Sequence, residues 1–142
     1  MAGLAAVYVL QPPLPTALYG IGLAVMASTL ADSIQPRIPF IAVKVVEGHR
    51  GLSHWILTSV GLAWLVNMAW GETMAIFFFA GYVSHLLLDM PSGGGIPLVG
   101  PLPFRIGTYW IKNGSRAEDV VRYLLIVACV VMGVMVAMQY IH

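Results

Sequence analysis

The sequence predicts an all-α integral membrane protein, a single domain (1–142) forming a bundle of four transmembrane helices. Two observations carry this. Of the 142 residues, 59% are hydrophobic and only 9% charged, and the mean hydropathy is +0.86. A soluble domain carries about 25% charged residues, so this chain lacks the means to cover a water-facing surface. The apolar residues also gather into four segments, each near the roughly 20 residues a helix needs to cross a bilayer. A net charge of +1 gives no ground for a nucleic-acid partner.

The elements follow in order. Residues 1–10 form an apolar leader expected to lie in the membrane interface; no basic region precedes it, so a cleaved signal peptide is not expected. Gln11-Pro12-Pro13-Leu14-Pro15 then breaks any helix. The first span is read at 14–31 and is followed by Asp32. The second is read at 54–71, with Trp55, Trp64 and Trp70, and Ser53 is placed as its N-cap. Gly71-Glu72 joins it in a tight hairpin to the third, 73–89. The fourth, 120–141, is the longest and holds the single cysteine, Cys129, which has no intrachain partner and is read as a packing residue.

Charge orients the bundle. Arg37, Lys44, Arg50, Arg105, Lys112, Arg116 and Arg122 all lie in the two longer connections or at the start of the fourth span. The positive-inside rule then makes those loops cytoplasmic and turns both termini outward. With that topology Asp32 ends the first span, His54 begins the second and Asp89 ends the third, all on one face. His49 lies in the loop on the same side.

Ionisable groups beside a bilayer are costly unless paired or bound, which makes them functional candidates. His85 and Asp89 are four apart, one turn above each other on a helix, at a C-terminal end whose partial negative charge favours a cation. His49 and His54 are five apart, about 140° around an ideal helix, so Gly51 must supply a bend for both to face one point. Together they offer a mixed nitrogen and oxygen set suited to Zn²⁺, Mn²⁺ or Fe²⁺, with Asp32 as a fifth ligand or a bridge. Taken singly, each has a plainer reading, as an interfacial histidine or a helix-end carboxylate.

Arg50 offers a fork of donors that fits phosphate, or else an anchor at the headgroups. After Asp89, Ser92 and the three glycines Gly93, Gly94 and Gly95 either shape a pocket through close backbone approach or form a plain turn ahead of Pro97, Pro101 and Pro103. No Lys-Ser/Thr ending follows them, so they are not a P-loop. Glu47 is a weaker candidate base near His49.

At these residues the sequence resembles the YdjM-like family of membrane-bound metal-dependent hydrolases. The family motif His-Arg-Gly-x-Thr/Ser-His stands here as His49-Arg50-Gly51-Leu52-Ser53-His54. A second block, Gly-Tyr-x-Ser-His-x-x-x-Asp, stands as Gly81-Tyr82-Val83-Ser84-His85-Leu86-Leu87-Leu88-Asp89, followed by Ser92, Gly95 and Pro101. The resemblance covers about 23–104. It implies an all-helical fold distantly similar to zinc-dependent phospholipase C and P1-type nucleases, enzymes that bind metals through His and Asp and cleave phosphoesters. One departure stands out. The family commonly has Leu-Pro-Asp-x-Asp after the first span, and this chain has Leu30-Ala31-Asp32-Ser33-Ile34. Only one carboxylate is present, which argues against a second metal.

The reading is therefore a multi-pass protein of a prokaryotic inner membrane. It would hold a divalent ion, zinc first and manganese second, on His49, His54, His85, Asp89 and Asp32. Arg50 and Ser92 would serve a phosphoester or lipid-linked phosphate at the cytoplasmic face, lipid being the surrounding partner. Two rival classes stand beside it. One is a metal-stabilised scaffold or a subunit of a larger complex or homo-oligomer; the other is a transporter using His85 and Asp89.

Overall fold

The structure is a computed structural model and describes residues 1–33, 52–90, 96–97, 99, 106–107 and 115–141. Among these the chain is all-helical, apart from one antiparallel bridge between Ile96 and Ile106. Its helices are α1 (Ala2–Leu10), α2 (Leu14–Ser33), α3 (Ile56–Trp70), α4 (Glu72–Asp89) and α5 (Arg116–Ile141), with a 3-10 turn at Leu52–His54. Helices α2 to α5 overlay the four apolar segments of the sequence. Of them, Asp119–Ile141 is long and apolar enough to cross a membrane, while Leu14–Leu30 and Ile56–Trp70 are apolar but shorter.

The breaks have local causes. Gln11 ends α1 in the left-handed conformation, φ 45°, its N–H bonded to the Val7 carbonyl, and Pro12 and Pro13 then turn the chain. Gly71 is at once the last cap of α3 and the first of α4, with φ 86° and ψ 172°. A side chain resists that φ, so glycine sets the hairpin. The 3-10 turn corrects the expectation that Ser53 caps the second span. Trp55 is the N-cap of α3, without a side-chain bond, and the Thr58 hydroxyl donates back to the Leu52 carbonyl instead.

The leader does more than border the bundle. Helix α1 packs against α2, α4 and α5, with Val7 fully buried and Gly3 close enough to Ala24 that an added Cβ would lie 3.0 Å from the Ala24 Cβ. Helix α5 meets the other helices chiefly through α1. At its far end the Tyr140 hydroxyl donates to the Pro12 carbonyl, so α5 finishes beside the start of α2.

Helices α2 and α4 form the central pair, and they are parallel. A Cβ on Gly20 would collide with the Phe77 ring, and one on Gly81 with the Ala24 carbonyl; the two contacts advance together along both chains. Small residues let helix backbones approach this closely where no hydrophobic force acts between helices in lipid. The interior is accordingly rich in alanine (Ala6, Ala17, Ala24, Ala27 and Ala63), while Leu18, Trp64, Met68, Trp70, Leu124 and Val130 are exposed. Phe77, Phe78, Tyr82 and Leu86 fill the space between the alanines, and large apolar side chains so widely exposed suit apolar surroundings. Beyond α4, Ile96 returns to the core beside Tyr82 and Leu86, fully buried.

Candidate metal centre

The register of α2 on α4 places the first two groups. From the Ala24–Gly81 contact, Asp32 and Asp89 are each eight residues further on. At 1.5 Å per residue both carboxylates stand about 12 Å along, at a common height. His85 sits one turn before Asp89 on the same face of α4, its Nε2 3.8 Å from Asp89 Oδ2 and 3.5 Å from Asp32 Oδ1.

His54 completes the group from the 3-10 turn. Its Nε2 lies 3.3 Å from Asp89 Oδ2 and 3.7 Å from Asp32 Oδ1. The two imidazoles have ring centroids 5.6 Å apart and are tilted by 59°. One ligand atom from each of Asp32, His54, His85 and Asp89 lies within 4.8 Å of all the others. Three elements of the fold thus meet at one point, although the residues are scattered over 32–89 of the sequence.

The arrangement fits a cation. Metal–ligand bonds to nitrogen and carboxylate oxygen of about 2.0–2.2 Å imply tetrahedral edges of roughly 3.3–3.6 Å. The four His–Asp separations run from 3.3 to 3.8 Å. His54 Nε2 and His85 Nε2 are both buried yet make no hydrogen bond, and a buried polar atom without a partner is costly. A cation between the four groups would take up both lone pairs. Exposure is graded around the cluster: His54 is 1% exposed, His85 17%, Asp89 21% and Asp32 50%. The side marked by Asp32 is therefore the open one.

Of the expected ligands, the structure brings together Asp32, His54, His85 and Asp89. Asp32, expected in reserve, takes its place with the other three. His49, Arg50, Ser92 and Glu47 lie outside the described residues. Two residues of the motifs, neither expected to support a ligand, stand beside the cluster. The Tyr82 hydroxyl donates to the Ser53 carbonyl, and Ser53 Oγ shares a 3.1 Å hydrogen bond with His54 Nδ1. The signal for Tyr82 was its spacing, three residues before His85 and so on the same helical face. Ser53 stands in the motif next to His54, but its contact with the ring is set by the 3-10 turn.

The model of one family, described as YdjM inner membrane protein, matches residues 1–141, and the chain belongs to that family. No curated protein and no solved structure matches.

Proposed function

From membership of an inner-membrane protein family and the geometry of its His/Asp cluster, we propose that the chain is a membrane-embedded, metal-dependent hydrolase acting on a phosphoester. The observation that carries this is the convergence of one ligand atom each from Asp32, His54, His85 and Asp89 within 4.8 Å. The family resemblance adds the reaction class. Asp32, His54, His85 and Asp89 would hold a divalent ion, which would supply Lewis acidity for hydrolysis of a phosphoester.

The chain's own residues set the rest. The inner wall is His54, buried, with His85 and Asp89 partly buried beside it on α4. Asp32 is half exposed, so it is the ligand best placed to yield to substrate. Arg50, next in sequence to His49, would hold the substrate anion through its guanidinium fork, and Ser92 with the glycines after it would shape the entrance. In a four-span arrangement with the basic loops cytoplasmic, the site stands at the inner face. A substrate that partitions into the membrane, such as a phospholipid or lipid-linked phosphate, suits that depth.

A second reading has a specific observation behind it. Four protein donors are enough to close a tetrahedral site, and closed sites are structural whereas catalytic ones keep a position open. The chain would then be a metal-stabilised scaffold, as an isolated protein or within a larger complex.

Metal analysis decides first. Wild-type protein should retain a divalent ion that His54→Ala and His85→Ala lose; equal content in all three removes the site. A panel of phosphoesters and phospholipids with added Zn²⁺ or Mn²⁺ should then show turnover that Asp89→Ala abolishes with the fold retained. Metal bound without turnover in any arm favours the scaffold.

A further inference from the structure

We propose that Tyr82 is a positioning residue for the metal centre, fixing through its hydroxyl the 3-10 turn that carries His54. The inference rests on the reading of the cluster as a metal site.

Leu52–His54 is a single 3-10 turn of three residues, too short to hold an imidazole in place by its own backbone bonds. Yet His54 is 1% exposed and its Nε2 reaches both carboxylates. The Thr58 hydroxyl ties the start of the turn at the Leu52 carbonyl, and its middle is held from another helix. Among the described residues Tyr82 is the largest fully buried side chain, and its hydroxyl crosses from α4 to the Ser53 carbonyl, 29 residues away in sequence.

That same Ser53 then reaches the histidine. Its Oγ is bonded to His54 Nδ1. With Nδ1 as donor to Ser53 Oγ, Nε2 keeps its lone pair for the cluster, the tautomer a metal ligand requires. Tyr82 thus acts on the backbone of Ser53 and the Ser53 side chain on the ring, so turn and tautomer are set together.

One face of α4 therefore has two duties. Tyr82, His85 and Asp89 recur at intervals of three and four, a single helical stripe. The last two supply ligand atoms directly. The first aligns the ligand that comes from another element. Because the aligning group and the ligands share one helix, His54 is held in register with His85 and Asp89.

The test uses Co²⁺ as the probe on full-length protein in detergent, read by its visible absorption and by competition with a chelator. Tyr82→Phe removes only the hydroxyl. It should weaken Co²⁺ binding about 10- to 100-fold, the usual cost of losing an outer-shell partner, and change the absorption bands. Tyr140→Phe deletes the same kind of bond at the opposite end, to the Pro12 carbonyl, and should leave affinity and spectrum as in wild type. Ser53→Ala keeps the carbonyl that Tyr82 bonds and removes only the Oγ–Nδ1 bond, so it should weaken binding through the ring alone. If Tyr82→Phe does not fold, Tyr82→Leu, which also lacks the hydroxyl, takes its place.

Wild-type affinity and spectrum in Tyr82→Phe overturn the proposal, as does equal weakening by Tyr140→Phe, which would mark a general loosening. Unchanged binding in Tyr82→Leu, where Tyr82→Phe fails to fold, overturns it too. Wild-type protein that takes up no Co²⁺ overturns the metal reading as well. Normal uptake with an unaffected Tyr82→Phe removes this inference alone.

Discussion

Gly81 of α4 lies against the carbonyl of Ala24 on α2 so closely that a side chain at Gly81 would overlap that oxygen. The contact sets the register of the parallel pair, and eight residues beyond it on each helix stand Asp32 and Asp89. A backbone contact thereby fixes the geometry of two carboxylates about 12 Å away.

Gly81→Ala should force α2 and α4 apart, because the obstructing atom is backbone and cannot rotate aside. Overpacking of this kind costs about 1–3 kcal/mol. The expected result is a lowered unfolding midpoint in detergent together with reduced metal content in the fraction that remains folded. Gly61 and Gly133 have open space where a Cβ would go; alanine at either should change neither quantity, and a loss there equal to that of Gly81→Ala would refute the account.

Burial separates two of the clustered residues. His54 is 1% exposed and Asp32 50%. With a chelator present, His54→Ala should lower stability by roughly 1–3 kcal/mol, as core truncations do, while Asp32→Ala should stay within about 0.5 kcal/mol of wild type. Both should lose metal affinity. Thermal melts with chelator and metal analysis without it check the pair.

Added metal should raise the melting temperature, since an ion that binds only the folded state stabilises it by about 2.7 kcal/mol at a hundred times its dissociation constant. Protons compete for the same imidazole nitrogens and carboxylate oxygens, so binding releases protons. The gain should therefore grow as pH rises and fade on acidification. Melts with and without Zn²⁺ across a pH series measure it; a gain that persists in the double variant His54→Ala/His85→Ala would mean that the ion binds elsewhere.

Phe77 is fully buried between α1, α2 and α5, with Ala17 and Val136 as neighbours. Phe77→Ala should cost about 3–5 kcal/mol. Gly20→Ala alone should also destabilise, because its new Cβ meets the Phe77 ring, but should be far milder in the Phe77→Ala background. A double-mutant cycle shows the coupling, and additive costs would contradict the packing described.

Local composition was enough to mark the helices. The four apolar runs fall within or across α2 to α5, the proline cluster after Leu10 separates α1 from α2, and Gly71 separates α3 from α4. The ligand types were legible too, because His85 and Asp89 share a face by helical spacing alone, and Asp32 and His54 flank apolar segments whose ends had to meet. The departures are equally local in origin. Ser53 was assigned to a cap by residue preference, and a 3-10 turn, which no hydrophobic periodicity announces, gave it to His54 instead. The leader was read by its apolarity alone, which cannot distinguish a lipid surface from a bundle face.

The sequence by itself determined the all-helical character and which residue types are available for a cation, since both follow from composition and from spacing within one helix. Tertiary structure decided that Asp32 stands beside His54, His85 and Asp89, and that Tyr82 reaches Ser53. Those relations depend on how deeply one helix sinks into another, and the Gly81–Ala24 approach that sets the depth joins positions 57 residues apart. Spacing along a chain constrains neighbours within a few turns, whereas distances between helices are settled only when the whole set packs together.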